Sequence, residues 1–112
     1  FNAAGTQVVT ASRDGTARVW DLSTGDELYT LQDTGRISSL AFSPDSRILA
    51  GGNPSNDTVG LWDMSTGEAI DFLPSDDVFS ISFNANGSRI ASSNFDHTVR
   101  IWKIPTRFRS VK

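Results

Sequence analysis

Polar and apolar residues alternate along this chain in short runs. In residues 37–42, Ile37, Ser39 and Ala41 fall on one side and Ser38, Leu40 and Phe42 on the other, and residues 78–83 alternate in the same way. A period of two predicts strands rather than helices. Residues 27–31 and 69–73 read as two further, matching strands. Between the runs lie residues that accept tight or left-handed backbone: Ser43-Pro44-Asp45-Ser46, Asn84-Ala85-Asn86-Gly87, and the pair Ser23-Thr24-Gly25 and Ser65-Thr66-Gly67. Asp14-Gly15 is a hairpin signal. No segment carries a sustained helical stripe, so the chain reads as all-β.

The pattern also repeats. Phe1, Phe42 and Phe83 stand 41 residues apart, and Trp20, Trp62 and Trp102 stand 42 and 40 apart. The stretch from Phe83 to Trp102 aligns without a gap on the stretch from Phe1 to Trp20, whereas Phe42 to Trp62 carries one extra residue near Pro54. A period in the range of roughly 40–45 residues is that of four-stranded propeller blades.

The residues that recur give the repeat a family likeness. Trp20-Asp21 and Trp62-Asp63 are Trp-Asp pairs in phase, and Phe42-Ser-Pro-Asp45 and Asp14-Gly-Thr-Ala-Arg-Val-Trp-Asp21 closely resemble the WD40 repeat consensus. The resemblance covers essentially the whole chain. It implies blades of four-stranded antiparallel sheet in an incomplete ring. Residues 1–41 would be a partial blade with the start of the next, residues 42–82 a second repeat and residues 83–112 a third and last.

The chain departs from that family in its polar positions. WD40 blades often join the His of a Gly-His pair to a turn Asp, a Ser or Thr and the Trp in a hydrogen-bonded tetrad. Here Gly35-Arg36 and Asp76-Asp77 stand in place of Gly-His. The turn Asp persists as Asp14 and Asp96, with Asn56 in the middle copy. The full tetrad is therefore impossible in these repeats. Trp20, Trp62, Trp102, Asp14 and Asp96 are expected to be structural. Each Trp, if buried, removes roughly 200 Å² from water, about 5 kcal/mol, against ~1 kcal/mol for a lost hydrogen bond. In the third copy Lys103 follows the Trp, and Pro105-Thr106-Arg107 replaces the Ser-Thr-Gly turn. The outer-strand pattern is not repeated in residues 108–112. In the family the last blade commonly takes its outermost strand from the chain's N-terminus, so this segment is expected to be the C-terminal end of a ring. A chain that opens on Phe1 fits a piece of a longer or processed protein. Rings of roughly four to eight blades close. Either further blades or further copies of the chain are then expected to complete this one.

Composition narrows the chemistry. Net charge is −3 over 112 residues, which argues against nucleic acid as a partner. No run approaches the roughly 18 apolar residues of a membrane helix. Cysteine is absent and His97 is the lone histidine, which argues against thiol catalysis, a zinc site or a Ser-His-Asp triad. His97 takes the place of Gly15 in its turn and is expected to face water. Residues 50–57 form a Gly- and Asn-rich loop without the Gly-Lys-Ser/Thr ending of a phosphate loop. Asn56-Asp-Thr58 and Asn86-Gly-Ser88 match the glycosylation pattern and are expected to be unused. Lys103, Arg107, Arg109 and Lys112 read as a solvated chain end.

No enzyme and no cofactor are expected. The resemblance implies a non-catalytic, intracellular scaffold, cytoplasmic or nuclear, that presents propeller loops to proteins or peptides. In such proteins partners often dock on the rim formed by the loops before the first strand and by the hairpin turns. Carried onto this chain, those positions are Arg36, Asp76 and Asp77, then Arg13, Ser55 and Phe95. Phe95 is the sharpest candidate, because a Phe in a polar turn exposes apolar surface and aromatic residues are enriched in binding hot spots. Two alternatives remain open: a regulatory or sensing propeller within a larger enzyme or signalling protein, and a ubiquitin-ligase substrate receptor. Receptors of the latter class often carry Trp-Asp-x-Arg, and Ser23 and Ser65 stand where that Arg would be.

Overall fold

The structure is a computed structural model in which residues 1–12, 15–31, 36–53, 57–75 and 78–104 are described. Ten strands form among the described residues: β1 Gln7–Ala11, β2 Ala17–Asp21, β3 Glu27–Thr30, β4 Ser39–Phe42, β5 Ile48–Asn53, β6 Thr58–Asp63, β7 Ala69–Pro74, β8 Val78–Phe83, β9 Arg89–Asn94 and β10 Val99–Lys103. They pair antiparallel into three sheets, β1-β2-β3, β4-β5-β6-β7 and β8-β9-β10. These are the expected blades, here blades 1, 2 and 3, and only blade 2 has four strands among the described residues. The sequence repeat and the sheet are out of phase. Phe42 ends β4 and Phe83 ends β8, so each Phe-to-Phe repeat carries three strands of one sheet and the innermost strand of the next.

The turns repeat as faithfully as the strands. Gly5, Ser46 and Gly87 all adopt positive φ, four residues after their Phe. Gly15, Asp57 and His97 do so five residues before their Trp, and Gly25 and Gly67 five residues after it. His97, at φ 68°, thus occupies the left-handed position that Gly15 fills in blade 1. Each blade also fastens its own lower turns. The amides of Leu22, Met64 and Ile104 donate to the carbonyls of Thr6, Arg47 and Ser88, at 3.0, 2.9 and 2.8 Å.

Packing occurs between blades. Ala17, Val19 and Leu31 of blade 1 meet Leu49, Trp62 and Met64 of blade 2 in one cluster. Ile48, Ala50, Val59 and Leu61 of blade 2 meet Val78, Ile81, Ile90 and Ile104 of blade 3 in the other. Tyr29 strengthens the first joint by donating its hydroxyl to the Met64 carbonyl. Its ring lies where a Cβ on Gly67 would come within 2.7 Å of Cδ2. Strict alternation fails in the innermost strands. Ile37 and Leu40 pack in the same cluster, and a register shift between Val78 and Ser80 lets Val78 and Ile81 both turn inward. Such bulges let residues three apart share a face.

Candidate functional site

The upper rim of the blades is built from the turns that follow β1, β5 and β9 and from the linkers that enter β4 and β8. The two kinds of segment meet: the Ser75 amide, leaving β7, donates to the carbonyl of Asp57 at 2.9 Å. Of the expected rim residues, Arg36 and Phe95 are described and both are exposed. Arg13, Ser55, Asp76 and Asp77 lie outside the described residues, as does Asp14.

Phe95 is 63% exposed and packs edge to face on Phe79, itself 62% exposed, with ring centroids 5.1 Å apart. Phe79 was not among the expected residues. Its signal in the sequence is a Phe where the matching position of blade 2 holds Ser38. The pair is held by strand β8 and by the tight turn after β9. In that turn Asp96 accepts from the Thr98 amide at 3.0 Å and from the Thr98 hydroxyl, and its other oxygen lies 3.8 Å from Arg100. The Thr98 hydroxyl, then its amide and the Arg100 charge hold the Asp96 carboxyl below the ordinary range. Asp96 thus fixes the turn that carries Phe95 and His97.

Beneath the rim of blade 3 lies a buried polar cluster that the sequence reading did not single out. The Ser75 hydroxyl reaches the Asn94 side-chain oxygen at 3.2 Å and the Ser92 hydroxyl at 3.4 Å, and Asn94 donates to the Thr98 carbonyl and hydroxyl. All three of Ser75, Ser92 and Asn94 are buried. They link blades 2 and 3 where the family would place its tetrad. Trp102 stays outside this network, with its buried Nε1 lacking a hydrogen-bond partner among the described residues. In blade 1 the tetrad's Trp–Thr bond does form, Trp20 Nε1 donating to Thr10 Oγ1 at 2.9 Å.

The three Trp differ in depth. Trp62 is fully buried, whereas Trp20 and Trp102 are half-buried. The cross-strand neighbours explain this. Beside Trp62 the pair Gly51↔Gly60 leaves a bare bed on which the indole lies, and Phe72 closes its edge at 6.2 Å between centroids. A Cβ on Gly60 would come within 2.9 Å of the Trp62 Cζ3, and one on Gly51 within 3.0 Å of the same atom. The matching pairs are Thr10↔Arg18 in blade 1 and Ser92↔Arg100 in blade 3, whose side chains occupy that bed.

The lower rim offers a concavity of about 490 Å³, lined by Phe1, Ala41, Pro44, Ile81 and Phe83 among others. Among the described residues no group of three or more His, Asp or Glu side chains is placed to hold a metal ion. No described helix is long and apolar enough to cross a membrane.

Three antiparallel sheets joined face to face, with matching turns at both rims, define an array of propeller blades. The sequence model described as "WD domain, G-beta repeat" matches residues 1–21, 25–63 and 69–103. The chain belongs to the WD40 repeat family. It is 33% identical over 104 residues to a guanine nucleotide-binding protein subunit beta of Arabidopsis thaliana, covering 83% of this chain and 28% of that protein. It is 32% identical over 109 residues to the small ribosomal subunit protein RACK1y of Oryza sativa subsp. japonica, covering 89% and 32%. It is 33% identical over 158 residues to periodic tryptophan protein 2 of Saccharomyces cerevisiae, covering all of this chain and 17% of that protein. The chain thus spans a third or less of the length of these relatives.

Proposed function

We propose that this chain is part of a non-catalytic interaction scaffold, a set of propeller blades whose upper rim presents loops to partner proteins inside the cell. The observation that carries this reading is the Phe79–Phe95 pair. Two large aromatic rings stand exposed on a rim, fixed by strands and by the Asp96 turn rather than by a loose loop. Rigid aromatics at the edge of a scaffold lose little conformational entropy on binding, which suits a hot spot. The relatives lend general support, since two of them are named as a subunit and as ribosomal subunit proteins, parts of larger assemblies. Arg13, Arg36, Ser55, Asp76 and Asp77 complete the proposed rim. Replacing Phe95 with Ala is expected to leave the thermal melt unchanged and to weaken capture of partner proteins about tenfold or more. Equal capture by both forms would remove Phe95 from the site.

A further inference from the structure

Three described turns at the lower ends of the blades close in the same way. The amides of Asn2, Ser43 and Asn84 donate to the carbonyls of Gln7, Ile48 and Arg89, at 3.0, 2.8 and 3.0 Å. The amides of Gly5, Ser46 and Gly87 return to the carbonyls of Asn2, Ser43 and Asn84, at 3.1, 2.9 and 3.1 Å. The third residue of each turn differs: Ala4, Asp45 and Asn86. Asp45 and Asn86 use their side chains alike. Asp45 Oδ1 accepts from the Arg47 amide at 3.0 Å, and Asn86 Oδ1 accepts from the Ser88 amide at 2.9 Å. Both residues are exposed. Asp45 belongs to a blade with neighbours on both faces, so exposure comes with this position in the turn.

Asn86 is chemically unlike the other Asn residues. Asn2, Asn53, Asn56, Asn84 and Asn94 precede Ala, Pro, Asp, Ala and Phe, and Asn86 alone precedes Gly. With no Cβ beside it, the Gly87 nitrogen is the least hindered backbone nucleophile that can follow a side-chain amide. Its attack on Asn86 Cγ forms a carbon–nitrogen bond and closes a succinimide ring. The side-chain nitrogen leaves as ammonia, carrying the proton that the Gly87 nitrogen gives up. Water then opens the ring at one carbonyl or the other. The product is either Asp or isoaspartate, in which the main chain runs through the side-chain carbonyl.

In the closed turn the attack is blocked. The Gly87 N–H is engaged with the Asn84 carbonyl, and the Asn86 amide is held by Ser88. Asn84 locks the turn with its side chain: Nδ2 donates to Ser88 Oγ at 2.9 Å, and Oδ1 accepts from the Arg89 amide at 3.0 Å. Gly87 is buried at φ 73°, and a Cβ there would come within 3.2 Å of Cδ of Pro44 in blade 2. Closing the succinimide turns the Asn86 side chain and the Gly87 peptide together, which breaks these bonds.

We propose that Asn86 is a gated deamidation site, silent while the turn 84–87 is seated against blade 2 and converted when the β8–β9 hairpin opens at that end. Loss of ammonia makes the conversion irreversible, so it records opening. The two products act differently. The Asp product keeps an acceptor for the Ser88 amide, as Asp45 does for Arg47, and adds a negative charge. The isoaspartate product lengthens the main chain just before Ser88, whose carbonyl accepts from the amide of the buried Ile104. It loosens Ile104 in the joint between blades 2 and 3. The gate needs no partner at the upper rim and stands apart from the scaffold reading.

The test is peptide mapping by mass spectrometry of the intact protein aged in mildly alkaline buffer, folded and fully unfolded in urea. Fragment spectra assign the amide-to-acid mass gain to Asn86, and isomerisation at Asp14-Gly15 produces no such gain. Asn86 is expected to convert at least about tenfold more slowly in the folded protein, because local opening limits the rate. Asn84→Ala keeps the backbone bonds and removes the side-chain lock. It is expected to raise the folded rate about threefold or more and to leave the rate in urea unchanged. Circular dichroism checks that this variant folds. Urea below the unfolding transition asks the same of the parent without a substitution, and the rate is expected to climb with it. Asn86→Asp is expected to melt with the parent. Equal rates in the folded and unfolded protein overturn the gate, and so does a folded rate that neither Asn84→Ala nor low urea moves. A lowered melt for Asn86→Asp overturns the tolerance of the Asp product.

Discussion

Blade 2 and the two blades beside it are built on one repeat pattern, yet they have different interiors. Blade 2 has a neighbour on both faces, and its strands β5 and β6 are almost wholly buried. Blade 3 has a neighbour on one face, and β10, with the same Val-x-Ile/Leu-Trp pattern, is exposed at every other residue. Burial in this fold belongs to the joint between blades rather than to the blade, as in other stacked repeats, whose stability is a sum of unit and interface contributions.

The Trp residues give the sharpest way to break this comparison. Trp62→Ala is expected to cost about 3–5 kcal/mol, and Trp20→Ala or Trp102→Ala roughly 1–2 kcal/mol, because half-buried rings withdraw less surface from water. Denaturant unfolding of the three variants measures the difference. Equal losses would mean that the blades are energetically alike in spite of their neighbours.

The glycine bed sharpens the same contrast. Gly60→Ala is expected to destabilise by about 1–3 kcal/mol through collision with the Trp62 ring. In a Trp62→Ala background it should cost nothing or help slightly, since the ring is gone. A double-mutant cycle isolates that coupling. Independent effects of the two substitutions would separate Gly60 from the burial of Trp62.

The smallest expected effect lies in the turns. His97→Gly should stabilise by about 0.5–1 kcal/mol, because a left-handed backbone is costly for a residue with a Cβ. Gly15→Ala in blade 1 should act in the opposite direction. A thermal melt lowered by His97→Gly would show that the imidazole itself supports its turn.

Much of the fold was legible in the sequence because its signals are local. Asp14-Gly15, Ser23-Thr24-Gly25 and Asn84-Ala85-Asn86-Gly87 mark chain reversals by backbone preference alone, and the spacing of Phe and Trp counts the blades. What needed the structure was register. Gly51 and Gly60 look like weak spots in two strands until their pairing shows that together they seat Trp62. The bulge in β8 moves Ile81 to the face of Val78, which simple alternation denies. Ser75 follows β7 while Ser92 and Asn94 lie on β9, and they become a cluster only once blades 2 and 3 are joined. At the rim, turn position alone pointed to Phe95 and Arg36, but Phe79 was hidden in a strand whose pattern predicted nothing unusual.

The offset between repeat and sheet bears on how such a gene can grow or shrink. A Phe-to-Phe unit supplies three strands to one sheet and the first strand to the next. An unequal crossover that inserts or removes one whole unit therefore splices hybrid sheets that still have their full set of strands. The seam falls in the turn after the innermost strand, where Ser43, Asn84 and Asn2 each head a similar reversal. Recombination in phase with the Phe residues pairs the innermost strand of one unit with the next strand of another, and because the repeats share one register the hybrid sheet keeps its full set of strands. The register of duplication is thus written into the backbone, and blade number can change while the sheet itself does not.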